Sequence, residues 1–423
     1  MSSATPPVPT GLDLGPFRGL RYSGVDLADV TTPPYDVIDE ATRQLLEARH
    51  ERSAVRLILP QDDAGEGSRY AAAARLLAEW RADGTLVADE APAVYLYEET
   101  VGEHVQRGLL GALALAPFDA GIVLPHENTM AGVVADRLAL MEATEADFEP
   151  IFCVYDGSGG AAAEIIVRTA ERTPLAETRT DDGVGHRLWA ISDEAELAAL
   201  HADLLPRKAV IADGHHRYTT YLQRQAARHA AGDGAGPWDR GLVLLVDTSA
   251  FGPEVHPIHR VVPDLPLEDA VERARAGFQV TALDDDPTAL EKLLSTVPGH
   301  AFVLSDGTRH FLLHDPDAAR LDAAVPKDRS DAWRGLDVTV AHHYLIRGLW
   351  GLDDTEQVVG FEHDVPAALA RAAATDGTAL LLKPTPVEAV SEVAAADDRM
   401  PRKSTLFTPK PRSGMVMRTY ADS

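Results

Sequence analysis

The chain has 423 residues, with 39 basic side chains against 66 acidic ones and a single cysteine. The net charge of −27 argues against nucleic-acid and membrane partners, because both need a basic footprint. A lone cysteine, Cys153, excludes a disulfide within the chain and favours a reducing compartment. The apolar runs are too short to span a bilayer, so we expect a soluble, cytoplasmic protein.

Short apolar runs alternate with helical patterns along most of the chain. The predicted strands are 55–59, 94–97, 109–115, 151–155, 187–191, 209–212, 242–246, 302–304, 311–313 and 380–382. The predicted helices are 40–48, 70–82, 133–142, 161–169, 194–202, 218–230, 267–276, 289–294, 338–349 and 387–396. This mixture predicts an α/β to α+β fold class, with mixed sheets and flanking helices.

Four regions are predicted along the chain, which is long enough for roughly two or three structural units. Residues 1–12 read as a disordered tail, 13–250 as a catalytic α/β region, and 251–395 as an α+β region. Residues 396–423 form a basic C-terminal segment that we expect to return to the active site. Between 399 and 418 this segment has six basic residues and no acidic one, a concentration of charge that attracts anions.

The main functional signal is the segment Asp213-Gly214-His215-His216-Arg217. An apolar strand precedes it and an amphipathic helix follows, so Gly214 permits a tight turn and both histidines enter the first helical turn. Free backbone N–H groups and the helix dipole favour an anion there, and Arg217 adds a fork of donors for phosphate or carboxylate. Adjacent histidines do not match the i, i+4 spacing of a zinc helix, so no metal ligand is assigned. A capped helix with two surface histidines is the alternative.

A second candidate segment lies in a loop before the helix predicted at 133–142. It contains His126, Glu127 and Thr129, and Arg137 follows on the helix. Glu127 is a candidate general base for a hydroxyl group. The alternative is a plain loop followed by an Asp-Arg pair on a helix surface.

The C-terminal segment offers ammonium and hydroxyl donors for phosphate oxygens. These donors are Lys403, Ser404, Thr405 and Lys410. The segment is not a Walker loop, because the glycines of that motif are missing. A basic tail lying on an acidic body would also explain it.

Near the N-terminus, Arg18 and the pair Tyr35-Asp36 are further candidates for binding a ligand in a cleft. A double proline precedes Tyr35 and fixes an extended turn. Turn structure alone would also account for these residues.

Two local predictions concern the second half of the chain. Thr385 and Glu388 match a capping box at the start of the helix predicted at 387–396. His342 and His343 fall within an apolar helical pattern, so we interpret them as packing residues.

Taken together, these segments resemble a family described as domain of unknown function 1015. The matching pieces keep their order at 16–19, 33–38, 125–129, 136–138, 150–152, 211–218, 259–260 and 400–410. The Asp-Gly-His-His-Arg turn also resembles the motif of free-serine kinases in the ParB/sulfiredoxin-like superfamily, where it lies beside nucleotide phosphates. The resemblance implies a ParB/sulfiredoxin-like core with additional α+β regions. Unlike ParB partition proteins, this chain is strongly acidic and has no evident helix-turn-helix.

The leading hypothesis is a small-molecule phosphotransferase, a kinase of free L-serine or a similar hydroxylated metabolite. Its donor would be a nucleotide or pyrophosphate with Mg²⁺, because phosphoryl transfer needs mainly positioning and charge neutralisation. Two alternatives stay open, a non-catalytic nucleotide-binding or sensing protein and a phosphoester hydrolase. The expected partners are the phosphate donor and the hydroxylated acceptor, and a homodimer is possible.

Each segment receives a role in this hypothesis. His215 or His216 donates to a phosphoryl oxygen, and Asp213 orients a histidine or a metal-bound water. Glu127 deprotonates the acceptor hydroxyl. Lys403 and Lys410 close over the polyphosphate.

Overall fold

The computed structural model describes residues 8–62, 67–284 and 286–422, and the chain divides into two compact units. The first unit comprises Met1–Pro253 and Pro409–Ser423, and the second comprises Glu254–Thr408. The predicted C-terminal segment, 396–423, is therefore shared between the two units. Of the predicted tail, residues 1–7 lie outside the described residues. Leu12 is fully buried in the first unit's core, so ordered structure begins before residue 13.

The first unit is a mixed α/β structure, as the sequence pattern predicts. Its strands are β1 Leu14–Gly15, β2 Leu20–Tyr22, β3 Leu86–Ala88, β4 Val94–Val101, β5 His104–Ala114, β6 Val123–Leu124, β7 Ala146–Asp147, β8 Ile151–Tyr155, β9 Ala176–Arg179, β10 Gly185–Ile191, β11 Ala209–Asp213 and β12 Arg240–Asp247. Its helices are α1 Leu27–Val30, α2 Glu40–Arg49, α3 Val55–Ile58, α4 Arg69–Ala82, α5 Ala131–Thr144, α6 Ala161–Ala170, α7 Glu194–Leu204 and α8 His215–Ala231.

Within the described residues, nine strands of the first unit form one sheet in the order β6-β11-β8-β12-β5-β4-β10-β9, with β1 added on β5. β8 pairs parallel with β12 and antiparallel with β11. These central strands carry continuous apolar runs because both faces of the sheet are covered. The final strand of the chain, Arg418–Thr419, pairs with β7 and ties the C-terminus to this unit.

The strand predicted at 55–59 is wrong, because Val55–Ile58 forms the short helix α3. Val55, Leu57 and Ile58 are all buried. A stretch of only five residues, four of them apolar, has no readable period, so a buried helical turn and a buried strand look the same in the sequence.

The second unit is also a mixed structure, with a six-stranded sheet of order β15-β17-β16-β19-β14-β18 and a β13-β20 pair among its described residues. Its strands are β13 Glu254–His256, β14 His259–Val262, β15 Gln279–Leu283, β16 Phe302–Ser305, β17 His310–His314, β18 Gly360–Glu362, β19 Thr378–Leu381 and β20 Leu406–Thr408. Its helices are α9 Leu267–Ala274, α10 Leu290–Thr296, α11 Ala318–Ala324, α12 Asp331–Arg334, α13 Asp337–Thr339, α14 Val365–Ala374 and α15 Val387–Ala395, together with a π-helix, Val340–Leu349.

Two local predictions in the second unit need correction. Thr385 does not cap α15, since its hydroxyl donates to the Ser404 carbonyl at 3.0 Å. His342 is not a simple packing residue. Its Nε2 accepts from Arg260 Nε at 3.1 Å, and its Nδ1 lies 2.8 Å from an Asp354 oxygen. The apolar pattern around His342 predicted burial but held no sign of these polar partners.

None of the helices in the described ranges combines the length and the apolar character that crossing a bilayer requires.

Candidate functional site

The candidate site is built around the turn between β11 and α8. β11 shifts its register against β8 between Ile211 and Asp213, and such irregularities re-aim side chains at the end of a strand. Gly214 then adopts φ +99°, a left-handed conformation that a residue without Cβ enters without strain. The helix begins at His215, as the motif predicts, and its first N–H groups lack partners within the helix.

Asp213 is a buried carboxylate held between two cations. Its Oδ2 accepts from Arg217 Nη2 at 2.7 Å, and its Oδ1 accepts from Lys410 Nζ at 2.5 Å. Burial alone would raise the pKa of Asp213, but the Lys410 ammonium and the Arg217 guanidinium outweigh it and hold the pKa below its ordinary value. Asp36 lies close to the same ammonium, with Oδ2 at 3.7 Å from Nζ. The C-terminal Lys410 therefore reaches the turn.

Arg217 uses its guanidinium inside the protein. Besides the bond to Asp213, its Nη1 donates to the Pro150 carbonyl at 2.7 Å, and the side chain is buried. Burial would lower the pKa of Arg217, but Glu149 and Asp213 outweigh it and raise the pKa. The sequence predicted that these guanidinium donors bind a phosphate or carboxylate of a ligand. In the structure they fix Asp213 instead, so we assign Arg217 a positioning role.

The loop that contains His126 and Glu127 packs directly on the turn. The His126 backbone N–H donates to His215 Nε2 at 3.2 Å, and His126 Nδ1 donates to the Ile211 carbonyl at 2.6 Å. The two imidazole rings meet edge to face with centroids 4.5 Å apart. Glu127 reaches both, at 3.8 Å from His126 Nε2 and 3.9 Å from His215 Nδ1. A half-exposed carboxylate thus lies beside the start of α8.

His216 connects the turn to α5. Its Nε2 accepts from the Met130 backbone N–H at 3.0 Å, just before α5 begins. Burial lowers the pKa of His216, which favours the neutral ring that can accept this bond. Thr129 lies one residue earlier in the same loop, and its role stays a prediction. The contact anchors the Glu127 loop at its far end.

The segment that carries Lys410 is fixed by buried hydrogen bonds. Gln106 Nε2 donates to the Pro409 carbonyl at 3.1 Å. Arg412 donates from Nη2 to the Thr31 carbonyl at 2.7 Å. Lys410 is thereby held from both sides, and its ammonium keeps a raised pKa because Asp213 and Asp36 outweigh the effect of burial.

Tyr35 lies between the turn and α5. The Arg137 guanidinium carbon is 4.4 Å from the centre of the Tyr35 ring, and that of Arg217 is 5.8 Å away. Burial raises the pKa of Tyr35 to about 12, so its hydroxyl stays protonated at neutral pH. Arg137 therefore packs against the Tyr35 ring, and its Nη1 donates to the Ile58 carbonyl at 2.6 Å.

Glu149 and Ser413 were missed by the sequence analysis. Glu149 Oε1 accepts from the Tyr35 backbone N–H at 2.9 Å and from the Ser413 hydroxyl at 3.0 Å. Glu149 is buried, two residues before β8 begins. A single charged residue before Pro150 carries no signal of burial, because its partners are more than 100 residues away in the chain.

Several predicted site residues lie elsewhere. Arg18 donates from Nε to the Asp89 carbonyl at 2.8 Å, at the β2-β3 pair. Lys403, Ser404 and Thr405 belong to the second unit. Lys403 is exposed, whereas Ser404 is buried and its hydroxyl donates to the Pro401 carbonyl. Their predicted contacts with a phosphate donor stay predictions.

A Gly214→Ala substitution tests the turn itself. The turn would force alanine into a left-handed backbone conformation, which costs about 1–2 kcal/mol of stability. The new Cβ would also lie 3.2 Å from Arg217 Nη2 and from Ile151. We expect a lower melting temperature together with weaker ligand binding. Gly232→Ala is the matched control, because it ends the same helix at φ +89° with open space around it. Equal binding by both variants would contradict a functional role for this turn.

A buried carboxyl beneath the Lys410 segment predicts a pH effect. Glu99 accepts from Gln106 Nε2 at 2.7 Å, and burial raises its pKa to about 8, against 4.5 for an exposed glutamate. Between pH 4.5 and about pH 8, Glu99 is protonated in the folded protein and ionised in the unfolded chain. The free energy of unfolding should therefore fall by about 1.4 kcal/mol per pH unit as the pH rises. Chemical denaturation of Glu99→Gln across this range should show the slope removed, whereas the exposed control Glu103→Gln should keep it.

Carboxylates outnumber cations at the site. Lys410 and Arg217 are opposed by Asp213, Asp36, Glu149 and Glu127. Within the ranges that the structure describes, no group of three or more His, Cys, Asp or Glu side chains is arranged to hold a metal ion. These carboxylates would repel a bare polyphosphate.

The fold and the site define a mixed α/β protein in which a loop before α5 and the Lys410 segment meet a strand-to-helix turn. The family model described as "Protein of unknown function (DUF1015)" matches residues 14–339, and the chain belongs to this family. No curated protein matches the sequence significantly.

Three solved structures give the scale of similarity to known folds. A free serine kinase variant in complex with ADP is 14% identical, with 72% of this chain and 89% of the other covered and a TM-score of 0.33. A conserved hypothetical protein from Pyrococcus furiosus is 14% identical, with coverage of 74% and 95% and a TM-score of 0.33. SbnI with a C-terminal truncation from Staphylococcus aureus is 10% identical, with coverage of 72% and 85% and a TM-score of 0.33.

Proposed function

We propose that this protein is a small-molecule phosphotransferase that moves a phosphoryl group from a nucleotide or pyrophosphate donor to an alcohol. One observation carries the proposal. Three segments distant in the chain converge on the start of α8, namely the Glu127 loop, the Asp213 turn and the Lys410 segment. Together they supply a candidate base, a helix N-terminus and a fixed ammonium, which are parts that phosphoryl transfer requires.

The donor phosphates would bind at the N-terminus of α8. Its first N–H groups have no partners within the helix, and together with the helix dipole they favour negative charge. The Lys410 ammonium has three N–H donors, of which Asp213 takes one, so the others can serve a phosphoryl oxygen. Asp213 holds Lys410 in place, and Arg217 in turn holds Asp213.

Mg²⁺ would enter bound to the donor. In such sites Mg²⁺ keeps several waters and takes one or two carboxylates in addition to phosphate oxygens. Asp36 is a half-exposed carboxylate next to Lys410, so the residues present fit this mode of binding. The ion would supply neutralisation of the charge on the phosphates.

Glu127 would accept the proton of the acceptor hydroxyl. Its carboxylate is half exposed and lies next to two histidines that the surrounding backbone holds in place. His215 Nε2 accepts a hydrogen bond from the His126 backbone N–H, so a neutral His215 carries its proton on Nδ1. Nδ1 faces Glu127. His215 can therefore orient the base while the acceptor approaches.

The test combines binding with turnover. We would titrate ATP, ADP, CTP and pyrophosphate, each with and without Mg²⁺, into the full chain and record thermal unfolding. A donor at roughly 100 times its Kd should stabilise by about 2.7 kcal/mol, with the larger shift in the presence of Mg²⁺. Binding should be accompanied by transfer of labelled phosphate to L-serine or a related alcohol. Absence of any shift would overturn the proposal.

The two alternatives give different outcomes in the same assay. Saturable binding without transfer to any acceptor would indicate a sensing protein. Release of free phosphate that needs no acceptor would indicate a phosphoester hydrolase. Either outcome would replace the phosphotransferase as the function of this site.

A further inference from the structure

A pocket of about 350 Å³ opens beside Tyr35 in the first unit. The roles given so far to the turn make no use of it. Leu59 and Val133 contribute apolar surface, and Arg69, Asp136 and Arg137 contribute charge. A cavity of this size with an apolar wall and a few polar groups is typical of small-molecule sites.

Asp136 is fully engaged by its neighbours. Its Oδ1 accepts from Arg69 Nη2 at 2.5 Å and from the Tyr70 hydroxyl at 2.8 Å. Its Oδ2 accepts from Arg137 Nε at 2.8 Å and Nη2 at 2.5 Å. A carboxylate has about four lone-pair sites, so Asp136 has none left for a ligand's ammonium group.

The side chains that line the pocket carry one net positive charge, because two guanidinium groups face a single carboxylate, and the nearby Asp62 carboxylate accepts from the Arg69 backbone N–H outside the lining. Arg137 uses all three of its nitrogens within the protein. Arg69 uses only Nη2, and among the described residues its Nε and Nη1 make no hydrogen bond. Its side chain is 39% exposed. Arg69 is therefore the group that can offer N–H donors to a ligand carboxylate, as single charge-assisted hydrogen bonds from Nε or Nη1.

The pocket and the turn share structural elements. Tyr35 lines the pocket and also lies against Arg217 at the turn. α5 carries Asp136 and Arg137, and the residue before it, Met130, donates to His216. A ligand in the pocket would therefore lie next to Tyr35, the residue that the pocket shares with the turn.

We propose that this pocket binds the acceptor through a carboxylate, and that the acceptor is a small hydroxylated carboxylic acid whose amino group, if it has one, is not recognised. The proposal rests on the phosphotransferase function for the role of the hydroxyl. In the step, the acceptor oxygen forms a bond to the donor's terminal phosphorus as the bridging P–O bond breaks. The hydroxyl proton passes to Glu127, and the shortened donor leaves with the bond electrons.

Three probes separate the groups that the pocket recognises. Glycerate carries a hydroxyl and a carboxylate, L-serine adds an ammonium, and ethanolamine has a hydroxyl and an ammonium only. Isothermal titration of each into the full chain, without donor, should show binding of glycerate and L-serine with similar affinity and none of ethanolamine. Ethanolamine binding as tightly as L-serine, or no binding of either acid, would overturn the proposal.

Arg69→Gln should weaken the binding of both acids by about tenfold or more, since a charge-assisted hydrogen bond is lost. Arg75→Gln, an exposed position on the same helix, is the matched control and should leave both affinities unchanged. Equal affinities of Arg69→Gln and the parent protein would also overturn the proposal. Thermal shift with Mg²⁺ and each of ATP, ADP, CTP and pyrophosphate on the same proteins tests the donor site separately. A donor shift without acid binding would contradict only the pocket, and no donor shift would contradict the phosphotransferase.

Discussion

An Asp213→Asn variant is expected to lose phosphoryl transfer by about 100-fold or more and to unfold more easily. Asparagine keeps the shape of the side chain but removes the charge that holds Lys410 and Arg217. Breaking one member of a buried ion pair typically costs about 3–5 kcal/mol, because the partner is left buried and uncompensated. Turnover should fall further than folding explains, since Lys410 would no longer be held beside the donor. Denaturant unfolding and initial rates measure the two effects.

Asp193→Asn is the matched control for this change. Asp193 caps α7 through two backbone N–H groups and is exposed, and asparagine caps a helix as well as aspartate does. We expect its stability and turnover to stay near those of the parent protein. An Asp213→Asn protein with full turnover would remove Asp213 from the mechanism, whatever its stability.

The sign of the pH dependence at Asp213 follows from its lowered pKa. The stabilisation from its ion pairs is present above the pKa of aspartate in the unfolded chain and is lost as the pH falls through the folded value. Acid unfolding should therefore begin at a higher pH in Lys410→Met than in the parent protein, because the loss of one cation raises the folded pKa.

A Glu127→Gln variant is expected to lose turnover by about 10²–10⁴-fold while it keeps its affinity for the donor. The amide cannot accept the hydroxyl proton, but it preserves the size of the side chain and its reach toward His126 and His215. Because Glu127 is half exposed, its loss should change the free energy of unfolding by less than about 0.5 kcal/mol. Single-turnover rates with saturating donor measure the effect directly.

Glu142→Gln, an exposed glutamate on α5, is the matched control for Glu127→Gln. It should retain the parent rate and donor affinity. If both glutamine variants turn over like the parent protein, another group must accept the proton. If Glu127→Gln loses donor binding as well, the carboxylate acts in binding the donor complex instead.

Local patterns predicted much of the secondary structure of the first unit. The run at 151–155 corresponds to β8 residue for residue, and the motif at 213–217 contains the end of β11 and the start of α8. These succeed because a buried strand and an amphipathic helix each impose a pattern on adjacent residues. The prediction at 55–59 failed because a single buried turn imposes none.

Residues with distant partners were harder to predict. Glu149 joins Tyr35 to Ser413, and Lys410 joins Asp213 to Asp36, across spans of more than 100 residues. The sequence suggested Lys410 only through the density of positive charge in its segment. It gave no reason to single out Lys410 from Lys403, which belongs to the other unit.

The sequence alone determined the turn after β11, the candidate base in the loop before α5, and the acidic character that argues against nucleic acid. Each of these depends on neighbouring residues or on total composition. Only the tertiary structure decided that Arg217 faces inward, that Lys410 completes the turn, and that Asp136 is already saturated in the pocket beside Tyr35. Hydrogen-bond partners and burial depend on chain segments that pack together from far apart, and a linear pattern does not contain that information.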